Sequence, residues 1–158
     1  MRTRLVLAAD HIHRGAGQTP LIGETTVTVG PGEARDVAMT ASEGVKLTGR
    51  LEFEGGPAPA KNEMTRATVS LYPLDREPGS AGRGRPDAEG KFTVNGVLPG
   101  RDRASPGGAG RAVWIVKQVT VGGRDVTMSA IVVEEKDLSD VVVTMTNQFG
   151  TLQGTVRS

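Results

Sequence analysis

The stretch RPDAEGKFTVNGVLPG, at residues 85–100, contains the strongest local fold signal in the chain. Asp87 and Gly90 frame a tight turn, because aspartate caps such a turn and glycine adopts the positive φ that its last position requires. Phe92 and Val94 follow at alternate positions, which predicts a strand with both side chains in a core. The LPG at the end of the stretch predicts a second turn into another strand.

The rest of the chain repeats this pattern of short alternating segments between glycine- and proline-rich turns. Its 158 residues include 22 Gly and 9 Pro, and the frequent valine and threonine favour strands. No segment of about ten residues has a convincing helical period. We therefore expect an all-β sandwich. Further strand candidates lie at residues 4–9, 25–30, 35–41, 45–53, 67–74, 112–123, 130–135 and 139–147.

The chain also contains an internal repeat. Residues 27–51 align with residues 131–156, so that the LxG at Leu47 falls on the LxG at Leu152. An offset of about 100 residues is the size of one β-sandwich domain, which indicates an array of similar domains. The predicted parts are residues 1–43 as the closing strands of one repeat, 44–147 as a complete sandwich and 148–158 as the first strand of the next.

The central part resembles carboxypeptidase-regulatory-like domains, which are transthyretin-like sandwiches similar to the collagen-adhesin B-type domains of large bacterial surface proteins. The resemblance rests on residues 85–100 and on the upstream pattern LxGxL…P…AxVxL, between Leu47 and Leu71. In one respect the chain differs from the family pattern: Asp102 stands two residues after the PG, where an aromatic residue is usual. The resemblance implies an all-β, Greek-key sandwich of the immunoglobulin-like kind, in a non-enzymatic accessory module without a cofactor.

That resemblance implies a structural module of a bacterial cell-surface or secreted protein, acting as a spacer or as a self-assembling subunit. The expected location is extracellular or at the cell surface. The apolar run at residues 5–9 is shorter than the core of a signal peptide, and no segment is long enough to span a membrane. The expected partners are other copies of the chain or adjacent repeats, with a surface polysaccharide as the second candidate.

Self-assembly would depend on the last residues of the chain. The segment at 151–157 has the pattern of an opening strand without partner strands of its own. Unpaired N–H and C=O groups favour strand addition from another copy, and a head-to-tail contact of this kind yields filaments. The competing interpretation is a piece of a long single-chain array. The candidate strand-exchange residues are Thr151, Leu152, Gly154 and Val156.

The alternative function is that of a glycan- or protein-binding accessory domain. Arg83 and Arg85 on a glycine-rich loop, with Arg124 in the GGRD turn, are the candidate ligand residues, because they could hold a phosphate or an acidic polysaccharide. The net charge of +1 and the lack of interleaved aromatic residues argue against nucleic acid. Trp114 is expected in the core, and Tyr72 is expected to face outward.

The sequence offers little for catalysis, metals or covalent cross-links. His11 and His13 would share one face of a strand, but two ligands do not make a metal site. Without cysteine there is no disulfide or thiolate site, and the acidic residues at 133–140 match no calcium-loop spacing. Lys46 and Asn147 invite comparison with the Lys–Asn isopeptide bonds of the collagen-adhesin domains, for which Asp102 would be the acid.

Overall fold

The computed structural model describes residues 3–12, 21–32, 36–38, 40–41, 43–75, 82–108, 113–150 and 153–155. Their regular structure is β apart from one helix of four residues, which confirms the all-β class. In chain order the elements are β1 (Thr3–Ile12), β2 (Leu21–Val29), β3 (Val45–Glu54), α1 (Lys61–Met64), β4 (Thr68–Pro73), β5 (Arg83–Gly84), β6 (Lys91–Val97), β7 (Gly100–Gly107), β8 (Ile115–Val121), β9 (Arg124–Asp125), β10 (Ile131–Val133) and β11 (Leu138–Thr146).

Strands β3 to β11 form two sheets that share one core. The four-stranded sheet has the order β10-β7-β4-β5, and the five-stranded sheet has the order β6-β3-β11-β8-β9. Apolar side chains from both sheets meet in one buried cluster, and burying each of them stabilises the fold by about 1.5–3 kcal/mol. The arrangement is a β-sandwich. Its most buried residues include Leu47, Val94, Val141 and Val143 on one sheet and Val69, Leu71 and Ile131 on the other.

The turn and strand expected at residues 85–100 are confirmed. Asp87 Oδ1 accepts hydrogen bonds from the backbone N–H groups of Glu89 (3.0 Å) and Lys91 (2.8 Å). Gly90 has a φ of 82°, a conformation that favours glycine. Phe92 and Val94 are buried, with exposed fractions of 3% and 0%. This hairpin therefore forms because local turn chemistry and strand alternation favour the same structure.

The first and last strands of the sandwich, β3 and β11, lie side by side and run parallel in the five-stranded sheet. Their continuous register pairs residues 49–54 with residues 141–146. At the start of β11 the ladder is irregular between Leu138 and Val141, and Asp140 there has a φ of 57°. Because the strands are parallel, the chain enters β3 at one end of the sheet and leaves β11 at the opposite end.

The two sheets adjoin each other differently at the two lateral edges of the sandwich. On one side, Gly84 of β5 lies so close to β6 that an added β-carbon would be 2.2 Å from the carbonyl oxygen of Thr93. On the other side, the connection at residues 126–130 passes from β9 in one sheet to β10 in the other. A pocket lined by described residues opens on this second side.

One local expectation is wrong, and one short element was not foreseen. The strand expected at residues 35–41 does not form in the described residues of that stretch, which have no regular structure. A strand needs a partner for its backbone N–H and C=O groups, and in the described part of the chain β1 and β2 pair only with each other. Helix α1 was not expected, because a single turn is too short to show a helical period.

The remaining strand candidates coincide with strands of the structure, with boundaries shifted by a few residues. The strands of the sandwich run from Val45 to Thr146, and the domain interval 44–147 stays a prediction. The assignment of residues 1–43 and 148–158 to neighbouring repeats stays a prediction. β1 and β2 form an antiparallel hairpin with the register Thr3↔Val29 to Ala9↔Gly23.

Candidate functional site

The outer face of the five-stranded sheet carries several charged side chains in ion pairs, and we call it the paired face. The charged groups of the three ion pairs given below are all exposed, so each ion pair stabilises the fold by roughly 0–1 kcal/mol. Of the described residues on this face, Lys91 is exposed without an ion pair. The pairs are Arg50 Nε with Glu52 Oε1 (2.8 Å), Lys46 Nζ with Asp137 Oδ2 (3.9 Å) and Lys117 Nζ with Glu54 Oε2.

The outer face of the four-stranded sheet carries Arg83, Arg101, Arg103 and Tyr72, and we call it the arginine face. Strand β7 alternates exposed and buried residues, so that both of its arginines face solvent while Asp102 lies in the interior. Tyr72 on β4 is 45% exposed, which confirms the expectation that it faces outward. Within the described residues, none of the three arginine side chains forms an ion pair.

Strand register brings these residues together from distant parts of the sequence. Tyr72 lies opposite Arg103 across the β4–β7 pair. Ser70, two residues before Tyr72, lies opposite Arg83 on β5 and opposite Ser105 on β7. Neighbouring strands are about 5 Å apart, and alternate residues of one strand are about 7 Å apart. The arginine face is therefore a patch three strands wide with a tyrosine between cationic side chains.

The structure places the predicted ligand residues at separate locations. Arg83 lies on the arginine face, and Arg85 is exposed directly after β5. Arg124 lies on β9, at the edge of the other sheet. Arg124 is therefore not brought together with Arg83 and Arg85.

The predicted strand-exchange residues lie mostly beyond the described part of the chain. Thr151, Leu152 and Val156 fall outside the described residues. Gly154 belongs to the described segment 153–155, which is exposed and has no regular secondary structure. Strand exchange stays a prediction.

A pocket of about 310 Å³ opens between β7, β8, β10 and the connection at residues 126–129. Val116, Val119 and Ile131 supply apolar walls, and Asp102, a residue that is only 1% exposed, also lines the pocket. Met128 at its rim is 93% exposed.

A hydrogen-bonded network fixes the loop beside this pocket. The Thr127 hydroxyl donates to Asp125 Oδ1 (2.6 Å) and accepts from the Val119 N–H (2.9 Å). Gln118 Nε2 and the Thr127 N–H also donate to Asp125. Hydrogen bonds from the Thr127 hydroxyl, then from Gln118 and then from the Thr127 N–H, lower the pKa of Asp125 to about 2.

The residues considered for an isopeptide bond lie far apart. Lys46 is near the start of β3, where its backbone N–H donates to Asp137 Oδ1. Asn147 follows the end of β11, where an added β-carbon on Gly55 would lie 2.7 Å from Asn147 Oδ1. The parallel β3–β11 register separates the two by eight or nine residues, or about 25–30 Å. This geometry excludes a Lys46–Asn147 bond in the sandwich.

The described residues contain no group of three or more His, Asp or Glu side chains that could hold a metal ion. His13 lies outside those residues, and the side chain of His11 is not described. No helix in the described ranges is long and apolar enough to cross a membrane.

Sequence reasoning missed Arg101 and Arg103 as candidate binding residues. The available signal was the alternation RDRAS after the PG turn, in which every second residue faces outward.

Trp114, expected in the core, is partly buried and packs edge-on against Phe53, with ring centroids 4.9 Å apart.

Comparison with known proteins identified no relative from which a role for the arginine face or the pocket could be inferred. A scan against protein-family models and searches of curated proteins and solved structures found no match for this chain.

Proposed function

We propose that this chain is a non-enzymatic spacer module that resists extension along its strands. The observation that carries this function is the parallel contact between the first and last strands of the sandwich, β3 and β11. It agrees with the resemblance to Greek-key, carboxypeptidase-regulatory-like modules of secreted or cell-surface proteins, which remains part of the proposal.

The geometry of β3 and β11 favours resistance to tension. The chain enters at Val45 and leaves after Thr146, at opposite ends of a parallel pair about 30 Å long. Tension applied to these two ends pulls the strands past each other, so that the hydrogen bonds between residues 49–54 and 141–146 are loaded together. Breaking several bonds at once needs more force than opening them one after another.

The proposal is tested by pulling the protein in two directions. The chain has no cysteine, so cysteines introduced at Glu43 and Gly150 would be the only attachment points for single-molecule force spectroscopy. Both residues are exposed and flank the β3–β11 pair at opposite ends. We expect a several-fold higher unfolding force here than for attachment at Glu43 and Glu135.

Attachment at Glu43 and Glu135 is the matched control, because the Lys46 N–H to Asp137 Oδ1 bond (2.9 Å) places the start of β11 at the same end as the start of β3. Pulling there opens the ladder from one end, one bond at a time. Equal unfolding forces in the two directions would contradict the proposed function.

A further inference from the structure

The arginine face carries three cationic side chains on one surface of the sandwich. Arg83, Arg101 and Arg103 are exposed and have no ion-pair partner among the described residues. Of the described carboxylates near the face, Asp75 Oδ1 accepts from the backbone N–H of Arg101 (3.3 Å) rather than from its guanidinium, and Glu134, just after β10, pairs with Lys136 (2.9 Å). Three cations thus share one surface of a chain whose net charge is only +1.

The arrangement of these side chains suits an extended anion. Arg101 and Arg103 are alternate residues of β7, so their side chains leave the sheet about 7 Å apart. Arg83 lies two strands away on β5, beyond β4. Guanidinium groups pair with carboxylates through two parallel hydrogen bonds, which a chain with repeated carboxylates could satisfy in several places.

Tyr72 adds a feature that charge alone does not explain. It is 45% exposed, lies opposite Arg103 and has an aromatic ring to which a sugar ring can stack. Ser105 on β7 is exposed beside it and provides a hydroxyl for polar contacts. The face thus presents one exposed aromatic ring with cationic side chains on the neighbouring strands, the combination that a sugar ring with an acidic substituent can use.

We propose that the arginine face binds an acidic polysaccharide whose sugar rings carry carboxylate groups. Charge complementarity identifies the partner as anionic, and Tyr72 favours a sugar ring. Single-stranded nucleic acid stacks its bases on several aromatic residues, whereas Tyr72 is the single aromatic residue of the described part of this face. This inference is independent of the proposed spacer function, because the outer side chains of the four-stranded sheet are not part of the β3–β11 ladder.

The test compares two triple variants with the same change in charge. One replaces Arg83, Arg101 and Arg103 by Gln, and the control replaces Lys46, Arg50 and Lys117 by Gln on the paired face. Binding is measured by biolayer interferometry to immobilised polygalacturonate and to the same polymer after its carboxyl groups have been reduced. We expect the wild type and the control triple to bind polygalacturonate, and the arginine-face triple to bind at least about ten-fold more weakly.

Tyr72→Ala separates sugar recognition from simple charge attraction. We expect this variant to bind polygalacturonate roughly three- to ten-fold more weakly, although its charge is unchanged. None of the proteins should bind the carboxyl-reduced polymer. Equal losses in the two triple variants, or no binding of polygalacturonate by the wild type, would overturn the proposal. So would tighter binding of single-stranded DNA through the same three arginines, because the partner would then be a nucleic acid.

Discussion

The two sheets bury the same kind of apolar side chain and differ in the faces that they turn to solvent. On the paired face, Arg50 and Lys117 have carboxylate partners on β3. On the arginine face, Arg101 and Arg103 follow each other along one strand without such partners among the described residues. Charged side chains that are neutralised by neighbours on the same surface attract an external charged ligand only weakly. Charged side chains without such neighbours attract ligands of the opposite charge. The two proposals follow this division: we propose tension resistance for the sheet with the balanced exterior and polysaccharide binding for the other.

The largest difference between the sheets is expected from a matched pair of glycine substitutions. A β-carbon on Gly49 of β3 would lie 2.1 Å from the carbonyl oxygen of Val141, so Gly49→Ala forces β3 and β11 apart. We expect its free energy of unfolding to fall by about 1–3 kcal/mol or more in urea denaturation.

Gly107→Ala in β7 is the control, because nothing lies within 4 Å of the added β-carbon. Its free energy of unfolding should change by no more than about 0.5 kcal/mol. Similar losses in the two variants would show that the close β3–β11 contact is not a special feature of the five-stranded sheet.

The sequence predicted the parts of this architecture that depend on local signals. The Asp87 turn, the burial of Phe92 and the exposure of Tyr72 all follow from turn chemistry or strand alternation, and the structure confirms them. The alternation of β7 could equally have indicated that Arg101 and Arg103 share a face.

The composition of the two faces could not be predicted, because it depends on which strands become neighbours. Arg83 and Arg103 lie on one surface only because β4 pairs with both β5 and β7. Likewise, Lys117 meets Glu54 only because β8 and β3 lie on either side of β11. Such long-range pairings leave no pattern in any single stretch of sequence. The pocket beside Asp102 was not predicted for the same reason, since β7, β8 and β10 all contribute to it.

Charge reversal should affect the two faces with opposite signs. Lys117→Glu replaces an ion pair by two neighbouring carboxylates and should destabilise the fold by about 0.2–1 kcal/mol. Arg103→Glu places a carboxylate beside Arg101 and should be neutral or stabilising by a few tenths of a kcal/mol. Both effects should shrink in high salt, because these groups are exposed. Destabilisation of equal size by both substitutions at low salt would indicate that the positive charges of the arginine face are already neutralised by carboxylates of the protein.

The smallest expected effect concerns the Asp125 network at the edge of the five-stranded sheet. Because the folded-state pKa of about 2 lies below the ordinary 3.8, ionised Asp125 contributes stability that is fully present above about pH 4. That contribution is lost as the pH falls through about 2. Side-chain NMR titration of Asp125 should show the low pKa directly.

A pair of substitutions at Thr127 identifies the cause of that low pKa. Thr127→Val keeps the side-chain shape but removes the hydroxyl that donates to Asp125 Oδ1, so the pKa of Asp125 should rise towards its ordinary value. Thr127→Ser keeps the hydroxyl and should leave the pKa low. The same titration in Arg103→Glu should also be unchanged, since Arg103 takes no part in the hydrogen bonds to Asp125. An Asp125 pKa that moves with Arg103 but not with Thr127 would mean that the field of the arginine face, rather than local hydrogen bonding, sets the ionisation of this loop.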